Sequence, residues 1–261
     1  MRASKGKPAA QVDRPAGEKG ESRECVSLSS FANKFPVILI DRLKCCCPVC
    51  DPMSSRSLLL CFVAATAFAA PRPIFDGKTF DGWEGDTTRT WRIMDGCIVG
   101  GSLAEKVQRN EFLATKKSYK DFELTLKFKL TGTEGFVNSG VQFRSVRIPD
   151  PPNEMKGYQA DIGDPEWWGA LYDESRRNKV LAKSDMTKLA GALKKNDWNE
   201  YRIRCEGPRI QLWINGVQTV DYTEPDASIP QEGNIAVQIH GGAKAEVWFK
   251  DIAVEELDVA K

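Results

Sequence analysis

Phe122-Glu-Leu-Thr-Leu-Lys-Phe-Lys-Leu130 sets an apolar side chain at every second position, with a charged or hydroxyl group between. A period of two puts the apolar groups on one face of an extended chain, so this stretch reads as a strand with one buried side and one wet side. Such strands build antiparallel sheets that pack on a second layer. The same alternation recurs further along the chain. Tyr201, Ile203 and Cys205 alternate with Arg202 and Arg204, and Ile210, Leu212 and Ile214 follow. Asn215-Gly216 then supplies a two-residue hairpin turn before Val217 to Tyr222. Asp95-Gly96 plays that part between Trp91–Met94 and Cys97–Val99. Ile235, Val237 and Ile239 are expected to pair with Val247, Phe249 and Ile252 across Gly241-Gly242. Only Ser184 to Lys195 has the character of a short helix. Many short strands joined by Gly-bearing turns indicate an all-β sandwich or jelly roll. No Pro/Ser/Gly linker divides residues 71–258, which read as one domain.

Upstream of that domain the pattern changes. Residues 1–52 mix Lys, Arg, Ser, Gly and Pro without a sustained period of 2 or 3.6, and are expected to be a leader outside the fold. Met53-Ser-Ser-Arg56 begins a short positive segment, Ser57 to Phe68 is apolar, and Ala67-Phe68-Ala69 has the small-residue pattern of a cleavage site. Residues 53–69 therefore read as a signal peptide, with translation expected to start at Met53. The apolar stretch is short for a bilayer span, so the mature protein is expected to be periplasmic or extracellular without a membrane span.

Lys and Arg total 37 against 36 Asp and Glu, so no overall basic field exists to neutralise a phosphate backbone, and nucleic acid is not an expected partner. Six of the eight cysteines lie before residue 62. Cys47-Pro-Val-Cys50 lacks the second ligand pair that a zinc knuckle needs. Cys97 and Cys205 occupy apolar strand positions, as buried free thiols or as one disulfide.

Three strands carry polar doublets of a type suited to sugars. Gln159 and Asp161 share a face opposite Tyr158, Ala160 and Ile162; Gln142 and Arg144 share one opposite Val141 and Phe143; Gln238 and His240 share one opposite Val237 and Ile239. Any one such face is commonly just solvated. His240 is the sole imidazole, and so the natural candidate for a base titrating near neutrality. There is no nucleophile elbow, zinc-protease helix or phosphate loop, and Asp161 with Asp164 is the nearest carboxylate pair.

Phe75-Asp-Gly-Lys78, Gly82-Trp83, Tyr119-x-Asp-Phe-Glu123, Asn138-Ser-Gly140 and Gly157-Tyr-Gln159 resemble the 3-keto-disaccharide hydrolase domain family. Gly169-Ala-Leu-Tyr172, Asp197-Trp-Asn199, Asn215-Gly216, Gln238-Ile-His240 and Val247-Trp-Phe-Lys-Asp-Ile252 continue the resemblance in order, over about residues 73–257. It implies a concanavalin A-like jelly roll. It also implies cleavage, by a hydrolase or lyase, of glycosides whose C3 hydroxyl has been oxidised to a ketone, a substrate that a separate sugar 3-dehydrogenase would supply. Many relatives carry Glu where this chain has Gln159, which moves the expected carboxylate role to Asp161. The ketone acidifies C2–H, and the enolate then expels the C1 substituent. The implied roles are a base at His240 or Asp161 and a cation at Arg144 for the enolate oxygen. Anchors are expected at Asn138, Gln142, Gln159, Asp164 and Gln238, with an aromatic platform at Trp167, Trp168 or Tyr172. No cofactor is demanded; a divalent metal on Asp161, His240 and Gln159 fits the donor types without any spacing that requires it. The alternatives are a non-catalytic carbohydrate-binding module and a structural envelope domain.

Overall fold

The computed structural model describes residues 70–258; the expected leader (1–52) and signal peptide (53–69) lie outside the described residues. One seven-stranded sheet is built from β2 (Trp83–Glu84), β5 (Glu111–Tyr119), β7 (Asn138–Arg147), β8 (Met155–Gly163), β9 (Leu171–Glu174), β10 (Lys179–Ala182) and β14 (Gly233–Ile239). The other sheet holds β1 (Arg72–Pro73), β3 (Trp91–Met94), β4 (Cys97–Ser102), β6 (Phe122–Glu134), β11 (Asn199–Glu206), β12 (Arg209–Ile214), β13 (Val217–Thr223) and β15 (Lys244–Glu256). Their orders are β10-β9-β8-β7-β14-β5-β2 and β13-β12-β11-β6-β15-β4-β3, with β1 alongside β15. Every strand pairing is antiparallel. The described chain is thus the all-β jelly-roll sandwich expected from its alternation.

The strand that opened the sequence reading lies in the middle of its sheet, β6 pairing with both β11 and β15. Phe122, Leu124, Leu126, Phe128 and Leu130 are buried against Val141, Phe143, Tyr158, Ala160 and Ile162 of the opposite layer in one apolar cluster. Leu126→Ala is therefore expected to cost about 2–5 kcal/mol, read as a lowered urea midpoint. A loss below about 1 kcal/mol would mean that this face is not the core.

Both two-residue hairpins form. Asn215 and Gly216 take φ of 49° and 80°, and Asp95 and Gly96 take 50° and 72°, the left-handed pair that such turns require. Within the expected helical stretch, α1 is a single turn, Met186–Leu189, capped by the Asp185 carboxylate.

One expectation fails at the level of pairing, and one open alternative is decided. The strand containing Ile235, Val237 and Ile239 does not pair with the last one: β14 lies between β5 and β7, and β15 lies between β6 and β4 in the other sheet. Gly241-Gly242 therefore belongs to a crossover between layers. Cys97 and Cys205 are both buried free thiols, on β4 and β11, which β6 and β15 separate. Burial pushes the Cys205 thiol up to about 12, so it is an inert part of the core.

Candidate functional site

The outer face of the seven-stranded sheet carries the site. Gln159 and Asp161 project from β8, Tyr172 and Glu174 from β9, and Asn138 from the start of β7; His240 follows β14, and Phe136 and Trp167 come from loops. Together they line a cleft of about 190 Å3, room for a single sugar ring. The register explains the convergence. Gln238, Gly140 and Asp161 form one cross-strand row, and Ala236, Gln142, Gln159 and Tyr172 form the next. Gly140 keeps the floor open, since a Cβ there would lie 2.6 Å from Cδ of Gln159. The Gln159 side chain instead lies across that gap toward Asp161.

His240 is held at two points. Its backbone N–H donates to the Asn138 carbonyl at 3.1 Å, and Nδ1 lies 2.8 Å from the Gly241 carbonyl oxygen. A carbonyl only accepts, so Nδ1 carries a proton, and in the neutral tautomer the Nε2 lone pair is the free one. The ring meets Phe136 edge-on at 4.8 Å; Trp167 lies 6.1 Å from Phe136 and 6.1 Å from Tyr172, which makes one continuous aromatic wall.

The carboxyl groups sit in an unusual environment. Asp161 is 2% exposed; its Oδ1 accepts the Gln159 amide N–H at 2.8 Å, and its Oδ2 has no hydrogen-bond partner. Burial raises its carboxyl well above the ordinary range, and the Glu174 charge adds to this, against the opposing Gln159 hydrogen bond. Glu174 is pushed up to about 7, first by burial and then by the charge of Glu154, while the hydrogen bond from Gln238 opposes. The inner side of the same strand explains how Glu174 is held outward. Asp173, fully buried, takes Arg176 at 2.8 Å and is paired with Arg177, whose Nη2 reaches Glu224 at 2.7 Å. Burial works against the Glu224 charge, but hydrogen bonds from Arg177 and Tyr158 outweigh it and bring that carboxyl down to about 2.

Because the fold raises the Glu174 carboxyl from 4.5 to about 7, the native state binds the extra proton, and stability falls as pH rises across that window. Glu174→Gln is expected to remove this slope, a gain of about 2 kcal/mol at pH 8 after discounting partial exposure. Urea titrations at pH 4.5 and pH 8 measure it, and equal slopes in wild type and variant would refute the raised carboxyl.

Among the residues expected from sequence, His240, Asp161, Gln159, Asn138 and Tyr172 meet in the cleft, with Trp167. Gln142 and Gln238 are fully buried beneath it and touch its walls, Gln142 through Gln159 and Gln238 through Glu174 at 3.4 Å. Arg144 is not part of it. The β7 register shifts after Phe143, and Arg144 takes a φ of 46°, which breaks the alternation that would have placed it beside Gln142. Its guanidinium, wholly buried, donates to the carbonyls of Lys120 (2.8 Å) and Gly207 (2.7 Å), to Gln231 Oε1 (2.5 Å) and to Asp121 Oδ1 (3.0 Å). Trp168 also turns away, 3% exposed and stacked on the core ring of Phe128 at 6.3 Å. Asp164 accepts the Trp168 indole N–H at 2.9 Å and pairs with Lys195 at 2.6 Å, beside a neighbouring groove. Neither lines the cleft.

Sequence reasoning missed Glu174 and Phe136. The signal for Glu174 was present, because Leu171-Tyr-Asp-Glu174 alternates and puts it on the Tyr172 face; Phe136 sits in a loop, where periodicity says nothing. Among the described residues, no three His, Cys, Asp or Glu side chains converge as a metal site.

Comparison with known proteins bears on the fold and the family. A 3-keto-disaccharide hydrolase of Bacteroides thetaiotaomicron is 23% identical over 236 residues, which covers 71% of this chain and 78% of that one. A provisionally assigned glycosyl hydrolase of Parabacteroides distasonis superposes with a TM-score of 0.53 at 19% identity, covering 72% of this chain and 94% of its own. The carbohydrate-binding module CBM66 of Bacillus subtilis superposes with a TM-score of 0.52 at 17% identity, covering 67% and 96%. At such identities the two superpositions speak to the fold alone. A 3-keto-alpha-glucoside-1,2-lyase-like domain model matches residues 70–255, nearly the whole described sandwich, and the chain belongs to that family.

Proposed function

We propose that the chain cleaves 3-keto-glycosides by removing the C2 proton and expelling the C1 substituent. The observation that carries this reading is the juxtaposition of a histidine with a free Nε2 and two raised carboxyl groups in a cleft sized for one ring and walled by aromatics. Nε2 of His240 takes the C2 proton, and the C2–H electrons pass into an enolate with charge on the C3 oxygen. As the C3 carbonyl re-forms, the C1–O bond breaks and C1=C2 forms; the leaving oxygen takes a proton from the Glu174 carboxyl. If water then adds, its hydroxyl going to C1 and a proton to C2, the outcome is hydrolysis; if not, it is a lyase product. Trp167 and Tyr172 supply the stacking surface. The enolate stabiliser first assigned to Arg144 is reassigned to groups in the cleft, the amide N–H of Asn138 and the carboxyl of Asp161, which burial pushes toward its protonated form.

This reading puts the protein outside the cytoplasm, after export by the segment at 53–69, and makes it dependent on a dehydrogenase that oxidises the C3 hydroxyl of its substrate. Incubation with a chromogenic 3-ketoglucoside, with and without a chelator, tests it. Release of the chromophore supports the reading, and chelator sensitivity would assign a metal. Sugar binding without release would leave a non-catalytic carbohydrate-binding module.

A further inference from the structure

The last ladder pair between β14 and β5 is Ile239 with Glu111, so His240 and Asn110 face each other one step beyond the regular sheet. Two peptide units follow His240, and both are tied to the segment that leads into β5. The first ends in the Gly241 N–H, which donates to Asn110 Oδ1 at 3.0 Å. A backbone N–H only donates, so Asn110 presents its side-chain oxygen there, in place of the strand carbonyl that a longer ladder would have supplied. The second unit joins Gly241 to Gly242. Its carbonyl accepts the His240 Nδ1–H at 2.8 Å, and its N–H donates to the Val107 carbonyl at 2.7 Å. The Val107 N–H returns to the Ala243 carbonyl at 3.1 Å. The two segments approach so closely that a Cβ on Gly241 would lie 2.6 Å from Cα of Arg109. Of these hydrogen bonds between the segments, only that at Asn110 is made by a side chain.

We propose that Asn110 is a positioning residue that, acting through Gly241, aims the His240 ring into the cleft. The direction of a side chain is set at its Cα by the peptide units on either side. At His240 the preceding unit is held by its N–H on the Asn138 carbonyl at 3.1 Å, and the following unit is held by Asn110. The Nδ1 contact then fixes the rotation of the ring for as long as the Gly241 carbonyl stays where the loop places it. Freeing the Gly241 N–H loosens both the Cα–Cβ direction and that carbonyl. Packing does not substitute for the tie, because His240 is only half-buried and its ring rests on Phe136, itself 40% exposed. Displacing a reacting group by about 1 Å costs up to about a hundredfold in rate. That the aimed nitrogen removes a C2 proton rests on the proposed function; the tie between the two segments does not.

The chain has one histidine, so a proton–carbon correlation spectrum of the untagged protein holds a single imidazole Cε1–H signal, which the edge-on Phe136 ring makes sensitive to orientation. It is read in the ligand-free protein at pH 8.5, above the ordinary imidazole range. The expected result is a displaced signal in Asn110→Ala and a return toward the wild-type position in Asn110→Asp, which keeps an acceptor for the Gly241 N–H. Gly241→Ala, whose methyl group forces the segments apart with Asn110 intact, should displace it too, and puts the same question if Asn110→Ala does not fold. A signal that stays in place when the tie is broken overturns the proposal. Kinetics give a second readout. Asn110→Ala is expected to lose about ten- to a hundredfold in kcat with KM changed less than about twofold, and Asn110→Asp to recover most of the loss. A lowered urea midpoint with the kcat of the folded protein unchanged would make Asn110 merely structural and refute the positioning role. If wild type turns over no 3-ketoglucoside, the proposed function fails while the imidazole signal still decides the role of Asn110.

Discussion

His240→Ala is expected to lower turnover of a 3-ketoglucoside by a hundredfold or more, with the fold intact. The magnitude follows from what the side chain alone offers. It is the single imidazole in the sequence, its Nδ1–H is committed to the Gly241 carbonyl, and Nε2 is left as a lone pair on the cleft. The carboxyl groups there are assigned elsewhere: burial pushes Asp161 toward its protonated form, and Glu174, pushed up to about 7, is the acid for the leaving oxygen. Removing His240 thus leaves the C2 proton without an acceptor. The loss should appear mainly in kcat, because the ring's contact with Phe136 at 4.8 Å is only one of the aromatic contacts along that wall. Exchange of the C2 hydrogen with deuterated solvent gives an independent check and should vanish in the variant. Wild-type rates of exchange in His240→Ala would reassign the base.

Arg144→Met is expected to cost about 3–5 kcal/mol of stability, the largest effect of any single change outside the apolar core. The guanidinium ties together the turn before β6, the turn between β11 and β12, and the segment before β14, and its side chain is wholly buried. Taking it away leaves the Asp121 carboxylate with only the Gly207 N–H at 2.7 Å, and strips the Lys120 and Gly207 carbonyls and the Gln231 amide oxygen of this donor in a low-dielectric setting. Chemical denaturation should show the fall in midpoint, while the fraction that stays folded keeps its turnover within a few-fold. A variant as stable as wild type but inactive would restore Arg144 to the chemistry and contradict the placement of its side chain.

What the sequence by itself determined about this protein is the class of fold and the orientation of regular strands. Side-chain direction in a strand alternates whatever it pairs with, so Phe122 to Leu130 pointed inward, Gln159 and Asp161 pointed outward opposite Tyr158, Ala160 and Ile162, and Asn215-Gly216 turned, all as local chemistry requires. The tertiary structure alone decided three things. It placed β14 and β15 in opposite sheets, because hydrogen-bond partners are chosen by the whole chain and not by adjacency along it. It turned Arg144 away from the cleft, because a bulge with left-handed φ at a non-glycine residue is held by the turns it binds and leaves no mark in residue type. And it chose Trp167 over Trp168 for the wall and brought Glu174 beside Asp161, because a loop has no period to read, and a carboxyl's proton depends on how completely distant strands remove it from water.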